Sequence, residues 1–302
     1  MNFDLGEVLT RTWKIGWNHK VLWLWQMTPG ILVIIFMPLF ILANPAFPML
    51  MGGDPDTYFT DYPWIPFALI AVMFLFAIPS IFLSVMAQLA TTYGAIKVEK
   101  GAEKLAFMDL FRESLPYFWR VLGLFTIFAF CWMVIWFGFM FFFMAGSMLT
   151  MGLASLCFIP FFFLLIPLLI AGLSVVELAQ NAIVADDMGV MDAISHGWKL
   201  FRANWLGIVI LMIVLYFAMY ILSMVITFPM MFPMMFLPLG FNAQGEPSLV
   251  MMILFFAFTM LIFLGSFIVQ GISMAFFQTG WAVLYQRLNR ADNSPMTAEA
   301  VE

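Results

Sequence analysis

Charged residues are scarce in this chain, and their scarcity excludes most soluble folds. Only 10% of the 302 residues are charged, whereas 65% are hydrophobic and 18% are aromatic. A globular protein in water carries roughly 25% charged residues. With a mean hydropathy of +1.04, the chain is therefore predicted to be an all-α integral membrane protein that crosses the bilayer several times.

Cysteine and histidine are equally rare, with two residues of each. Cys131 and Cys157 fall in adjacent predicted spans, at depths that differ by about 15 Å because a helix rises about 1.5 Å per residue. A disulfide is not expected, since bridged Cα atoms lie within about 7 Å. His19 and His196 have no second histidine or cysteine at a metal-binding spacing. We expect both to face solvent or lipid headgroups, and we expect no metal ion and no cofactor.

One methionine-rich segment raises the alternative of a copper site, because clustered thioethers suit Cu(I). It reads FPMMFPMMFLPLG at 228–240, and its three prolines predict a non-helical loop. Methionine is spread through the whole chain, however, with 27 in total. Flexible apolar packing is the better interpretation of these side chains.

Sequence signatures of catalysis and of nucleic-acid binding are missing as well. The chain has no P-loop, no nucleophile elbow and no HExxH motif, and no polar stretch is long enough for a soluble catalytic domain. The net charge is -5, without the basic and aromatic pattern of nucleic-acid binding. We predict a protein that is not an enzyme and whose partners are membrane lipids or another membrane protein.

Six apolar stretches are long enough to span a bilayer core about 30 Å thick, which takes roughly 20 helical residues. They cover 21–43, 64–96, 121–146, 152–183, 206–228 and 249–286. All twelve Lys and Arg residues fall in the four segments on one side of these spans. Because basic residues are retained in the cytoplasm, both termini are predicted to be cytoplasmic. One membrane domain is expected over 1–290, followed by a disordered cytoplasmic tail over 291–302.

Three amphipathic segments resemble one another, which indicates an internal repeat. Placing Glu7, Asp109 and Asp192 in register aligns EVLTRTW, DLFRESL and DAISHGW. Each copy continues with a small residue and then a large apolar one, namely Thr12 and Trp13, Ser114 and Leu115, and Gly197 and Trp198. The predicted units are about 1–100, 101–188 and 189–290, each an interfacial helix followed by a helical hairpin. Three unrelated interfacial helices remain the alternative.

Helical periodicity places the apolar residues of these segments on one face. In the third copy Met191, Ile194, Trp198, Phe201 and Trp205 recur at steps of three and four. Tryptophan beside lysine and arginine is typical of a helix lying in the membrane interface. The basic residues predicted to contact lipid headgroups are Lys14, Lys20, Arg112, Arg120, Lys199 and Arg202.

Polar residues within the spans indicate a second candidate site. Ionisable groups at membrane depth are costly, and Glu177, near the inner end of the fourth predicted span, is the one acidic residue within any of the six spans. If the three units pack around a pseudo-threefold axis, a polar pocket open to the cytoplasm forms from Gln88, Glu177, Gln180, Asn181 and Gln278. The alternative is that these amides only form hydrogen bonds between helices.

A resemblance to a known group rests on two stretches. Residues 182–215, AIVADDMGVMDAISHGWKLFRANWLGIVILMIVL, and residues 7–25, EVLTRTWKIGWNHKVLWLW, resemble a broad group of uncharacterised bacterial membrane proteins. That group is similar to the membrane domain attached to some glycerophosphoryl diester phosphodiesterases. The resemblance implies a six-span protein of the bacterial plasma membrane. The chemistry of that enzyme resides in a separate soluble barrel that this sequence does not contain, so no catalytic residue is carried over.

The functional prediction is a non-enzymatic accessory module of the plasma membrane that binds lipid or a membrane partner. The alternative is a transporter or permease for a small solute that uses the polar pocket around Glu177.

Overall fold

The computed structural model describes residues 4–43, 63–150, 152–236 and 249–293. Within these residues every regular element is a helix and none is a β-strand, which confirms the all-α prediction. The helices are α1 (Leu5–Asn18), α2 (Val21–Ala43), α3 (Ile65–Glu99), α4 (Phe107–Ser114), α5 (Phe118–Leu149), α6 (Ala154–Asp186), α7 (Val190–Phe236) and α8 (Leu249–Asn293), with a 3-10 turn at Leu115–Tyr117 between α4 and α5.

Five helical segments of the described chain are long and apolar enough to cross a membrane. They are Ile70–Glu99, Phe107–Leu149, Leu165–Asp186, Val190–Val225 and Ala257–Arg290. Helices α1 and α2 add a sixth candidate as a pair bent by 72°. The protein is therefore a multi-pass membrane protein, as its composition predicts.

A break in the helix follows each amphipathic segment. Helix α1 ends at Asn18 and α2 begins at Val21 in a new direction. The second segment passes through a 3-10 turn that contains Pro116, because proline cannot donate the helical hydrogen bond. Within α7 the backbone leaves helical geometry at Asn204, with φ -132° and ψ 26°.

The prediction of a non-helical methionine-rich loop is wrong for residues 229–236, because α7 continues to Phe236. Pro229 and Pro233 each remove only one backbone donor, and a helix surrounded by lipid offers the other backbone groups no better partners. Pro238 lies outside the described residues, as do the loop acids Asp54 and Asp56. Helix α8 reaches Asn293, so it includes the first three residues of the predicted tail; residues 294–302 lie outside the described chain.

The chain divides into two compact units. The first contains Met1–His19, Thr92–Phe217 and Phe277–Glu302, and the second contains Lys20–Thr91 and Ala218–Phe276. In the first unit the largest fully buried side chains include Ile15, Leu110, Leu124, Leu178, Ile183, Ile208, Leu211, Trp281 and Tyr285. The buried core that positions the candidate sites described below lies in this unit.

Within the second unit, α2 packs closely on α3 and α8. The Gln26 side-chain amide donates to Thr91 Oγ1 at 3.0 Å and to the Ala87 carbonyl at 3.2 Å. A Cβ on Gly271 would lie 2.5 Å from Cγ of Met27. Small residues at such crossings let the backbones of membrane helices approach each other, since lipid provides no hydrophobic drive for their association.

Candidate functional site

The amphipathic segments have two apolar faces, one buried in the protein and one exposed. The small residue in each register position is buried, and the large residue that follows it is exposed. The buried set is Thr12, Ser114 and Gly197, and the exposed set is Trp13, Leu115 and Trp198. Large apolar side chains turned outward beside basic residues fit the interface of a membrane, where aromatic rings lie at headgroup depth.

Aromatic stacking adds to the exposed face. The rings of Trp13 and Trp17 stack at 5.4 Å, and those of Trp198 and Phe201 stack at 5.8 Å. Trp13 is 60% exposed although tryptophan is among the most buried residues of soluble proteins on average. Helix α1 thus presents a paired aromatic surface away from the core of its unit.

All six basic residues predicted to contact headgroups are exposed: Lys14, Lys20, Arg112, Arg120, Lys199 and Arg202. Arg120 is the one with an ion pair in the described chain, since its Nη1 donates to Asp187 Oδ1 at 2.6 Å and to the Asp187 carbonyl at 3.1 Å. Lys20 belongs to the second unit, and the other five belong to the first.

A charged cleft of 560 Å³ lies at one end of the first unit. It is lined by four basic and three acidic side chains from α1, α8, the end of α3 and the residue before α1: Arg11, Lys14, Arg287, Arg290, Asp4, Glu7 and Glu99. Two ion pairs form within it, Arg11 with Glu99 at 2.6 Å and Arg287 with Glu7 at 2.8 Å. Lys14 and Arg290 are exposed and take no part in either pair. Asp4 is in neither pair, so four basic and three acidic side chains leave the cleft with one net positive charge.

Glu7, Asp109 and Asp192 are the acids aligned in the three amphipathic segments. In each segment the residue four positions later contacts the carboxyl-terminal part of another helix. Arg11 pairs with Glu99, and Glu113 pairs with Lys97 at 2.7 Å. His196 packs edge-on against Tyr285 with ring centroids 6.1 Å apart, and its Nε2 atom is buried. The prediction that His196 faces solvent or headgroups holds only in part, because the residue is half-buried and its Nε2 is shielded from solvent. His19 lies at the bend after α1, where desolvation lowers the pKa of its imidazole.

A hydrogen-bonded polar network lies inside the first unit. Gln180 Nε2 donates to Thr92 Oγ1 at 3.0 Å, and Thr92 Oγ1 donates to Gln278 Oε1 at 3.3 Å. Gln278 Nε2 then donates to Glu177 Oε1 across a longer 3.4 Å. Helices α3, α6 and α8 each contribute side chains to this network. The network thus joins three of the predicted pocket residues with Thr92.

Several buried oxygens of this region have no hydrogen-bond partner within the described residues. They are Glu177 Oε2, Gln180 Oε1, Asn181 Oδ1 and Thr279 Oγ1. Native proteins leave few buried polar atoms unsatisfied, because each costs about 1–3 kcal/mol. Three of these oxygens belong to neighbouring residues of α6, namely Glu177, Gln180 and Asn181.

The predicted pocket and the observed network do not consist of the same residues. Gln88 is half-buried and belongs to the second unit, whereas the network lies in the first. Thr92, which the sequence groups with Gln88 among the polar residues of the second span, has a hydroxyl central to the network and a fully buried side chain. Its position one helical turn after Gln88 is the signal that favoured it. Asp186 and its partner Tyr285 were missed as a pair.

Comparison with known proteins gave no relative from which to assign either site: no family model, no curated protein and no solved structure matches the chain.

Proposed function

We propose that the protein is a non-enzymatic accessory module of the plasma membrane that binds anionic lipid headgroups at the cytoplasmic interface. The observation that carries this proposal is the charged cleft, whose residue Lys14 lies on the same helix as the stacked Trp13 and Trp17. A cleft with unpaired basic side chains attracts a phosphate group, while neighbouring indole rings lie at the level of the headgroups.

Lys14 and Arg290 are the residues that contribute most in this proposal. Arg11 and Arg287 already neutralise the carboxylates that face them, whereas Lys14 and Arg290 have no such partner in the described chain. A basic side chain near an anionic membrane surface contributes about 1 kcal/mol of attraction. Removing both is therefore expected to weaken binding about tenfold to thirtyfold.

The experiment compares the purified protein in vesicles of phosphatidylcholine with and without phosphatidylglycerol. We expect the intact protein to retain phosphatidylglycerol through purification and to unfold at a higher temperature in its presence. The double variant Lys14→Gln, Arg290→Gln should lose both effects. The control, Lys100→Gln with Lys104→Gln, removes the same charge from exposed lysines outside the cleft and should keep them. Equal behaviour of the two double variants would argue for a protein partner or for nonspecific attraction instead.

The orientation and the repeat are part of the same proposal. All twelve Lys and Arg residues fall in segments on one side of the six candidate spans, which supports cytoplasmic termini. The helix breaks at His19 and Asn204 come at the same distance from Glu7 and Asp192, which supports the repeat of the first and third units. The bacterial plasma membrane, and a likeness to the membrane domain of glycerophosphoryl diester phosphodiesterases, remain expectations from sequence.

Orientation is testable by thiol labelling in a background with Cys131→Ala and Cys157→Ala. A membrane-impermeant maleimide should label Thr57→Cys in intact cells, and it should label Ser294→Cys only after permeabilisation. The reverse pattern would invert the topology and place the cleft outside the cell.

A transporter for a small solute is the second candidate, and Glu177 is the observation that favours it. Ionisable residues within spans are a frequent mark of solute pathways, and Glu177 Oε2 is buried without a partner in the described chain. In the same cysteine-free background, Gln180→Cys should react with a small water-soluble thiol reagent if a solute path reaches the network. If the thiol at position 180 does not react with the reagent either in the absence or in the presence of added solute, the result would count against transport.

A further inference from the structure

The polarity of the hydrogen-bonded network follows from one group. A carboxylate only accepts hydrogen bonds, and Gln278 accordingly donates from its Nε2 to Glu177 Oε1. Its Oε1 then accepts from the Thr92 hydroxyl. That hydroxyl accepts in turn from Gln180 Nε2, which leaves Gln180 Oε1 as the free end of the chain.

The same reasoning applies to Asn181. Its Nδ2 donates to the Glu177 carbonyl one turn earlier at 2.8 Å, so its Oδ1 remains. Glu177, Gln180 and Asn181 share one face of α6, because residues three and four apart are neighbours on a helix. The three atoms left over on that face are therefore all acceptors: Glu177 Oε2, Gln180 Oε1 and Asn181 Oδ1.

Charge at this face is also uncompensated. Among the described residues no lysine or arginine forms an ion pair with Glu177. The four ion pairs of the described chain involve other carboxylates. Glu177 lies nine residues before the end of α6 at Asp186, which is about 13 Å along the helix axis. Gln180 and Asn181 are fully buried.

We propose that Glu177, Gln180 and Asn181 of α6 form a binding site for a monovalent alkali cation, with Gln278 and Thr92 holding the Glu177 and Gln180 side chains in place. Three oxygens, one of them anionic, match a hard cation of single charge. Transition metals prefer nitrogen or sulfur ligands, and Ca²⁺ sites recruit several carboxylates. Sodium and potassium share this chemistry, and the experiment distinguishes them.

The test measures thermal unfolding of the full chain in detergent by intrinsic tryptophan fluorescence. Sodium chloride and potassium chloride are each titrated against choline chloride at constant ionic strength. A cation that binds only the folded protein raises Tm with the logarithm of its concentration above its Kd. We expect such a rise for sodium or for potassium, and the larger of the two rises identifies the preferred ion.

Variants assign the effect to the site. Glu177→Gln should make Tm independent of the cation. The control Glu113→Gln removes a half-buried carboxylate that pairs with Lys97 and should keep the full cation dependence. If Glu177→Gln does not fold, Asn181→Leu removes one ligand oxygen at similar volume and should raise the concentration at which Tm begins to rise about tenfold.

Two results would overturn the proposal. One is an identical Tm in sodium, potassium and choline chloride for the intact protein. The other is a cation dependence that survives both Glu177→Gln and Asn181→Leu. The measurement needs no lipid and no transport, so it is independent of the headgroup-binding experiment, and either proposal can fail alone.

Discussion

Tyr285 donates a hydrogen bond to Asp186 Oδ2 across 2.5 Å, which fastens the carboxyl-terminal end of α6 to α8 within the first unit. Asn289, one turn further along α8, donates to the same oxygen at 3.1 Å. The Tyr285 ring is fully buried and meets the edge of His196. The Asp186 carboxylate thus joins α6 to α8, and the Tyr285 ring contacts α7 through His196.

Removing the Tyr285 hydroxyl should destabilise the fold. Tyr285→Phe keeps the ring packing and deletes a hydrogen bond to a charged group, for which we expect a loss of about 1.5–3 kcal/mol. Denaturant unfolding in detergent measures this loss. Tyr220→Phe, at a ring that is 58% exposed, is the control and should be nearly neutral. Equal stability of the two variants would show that the hydrogen bond contributes little.

Gly197 lies where α7 packs tightly against α6 in the first unit. A Cβ there would lie 3.1 Å from the Val175 carbonyl oxygen and 3.2 Å from the Ala179 amide nitrogen. Both are backbone atoms, so relief requires the helices to separate, and Gly197→Ala should lower the free energy of unfolding by about 1–3 kcal/mol.

The matched control is Gly138→Ala in α5, where a Cβ would meet nothing within 4 Å. There we expect a gain of up to about 1 kcal/mol, because alanine is the better helix former. A stabilising effect at both glycines would mean that α7 has room to shift against α6.

The ion pairs of Arg11 with Glu99 and of Lys97 with Glu113 should differ in strength. The Glu99 side chain is 4% exposed, whereas both members of the second pair are more than a third exposed. Arg11→Gln leaves a buried carboxylate unpaired and should cost about 1–3 kcal/mol. Lys97→Gln should cost less than about 1 kcal/mol, and salt should reduce its effect further. Unfolding measured at low and at high salt checks both expectations; a larger loss for Lys97→Gln would contradict them.

Helix positions were predictable because they depend on local information. A bilayer leaves apolar runs of sufficient length only one stable conformation, so the stretches at 21–43 and 121–146 begin and end within a few residues of α2 and α5. Pro116 was the local sequence signal of the break after α4. Pro229 and Pro233 led to a wrong prediction of a loop. Lipid offers the backbone no other hydrogen-bond partners, and this favours a helix even across isolated prolines.

The site was less predictable, since it depends on which helix faces pack against each other. Periodicity identified an apolar stripe with Trp198 and Trp205 but could not show that the small residues Ala193 and Gly197 are the ones that pack inside. Conventional hydropathy assigns the large side chains to a core. Where these helices cross, small residues allow close contact, and the large side chains of the same segments point outward.

Asp187 is the one non-glycine residue in the described chain with a positive φ, at 54°. It ends α6 in the left-handed region, which costs most side chains about 1–2 kcal/mol, and its carboxylate pairs with Arg120. Asp187→Gly and Asp187→Ala lose the same ion pair, so their difference isolates the backbone cost. We expect the glycine variant to be about 1 kcal/mol more stable than the alanine variant. Arg120→Gln should cost less than about 1 kcal/mol, since the pair is exposed. Equal unfolding free energies for glycine and alanine at this position would mean that α6 ends in an unstrained conformation.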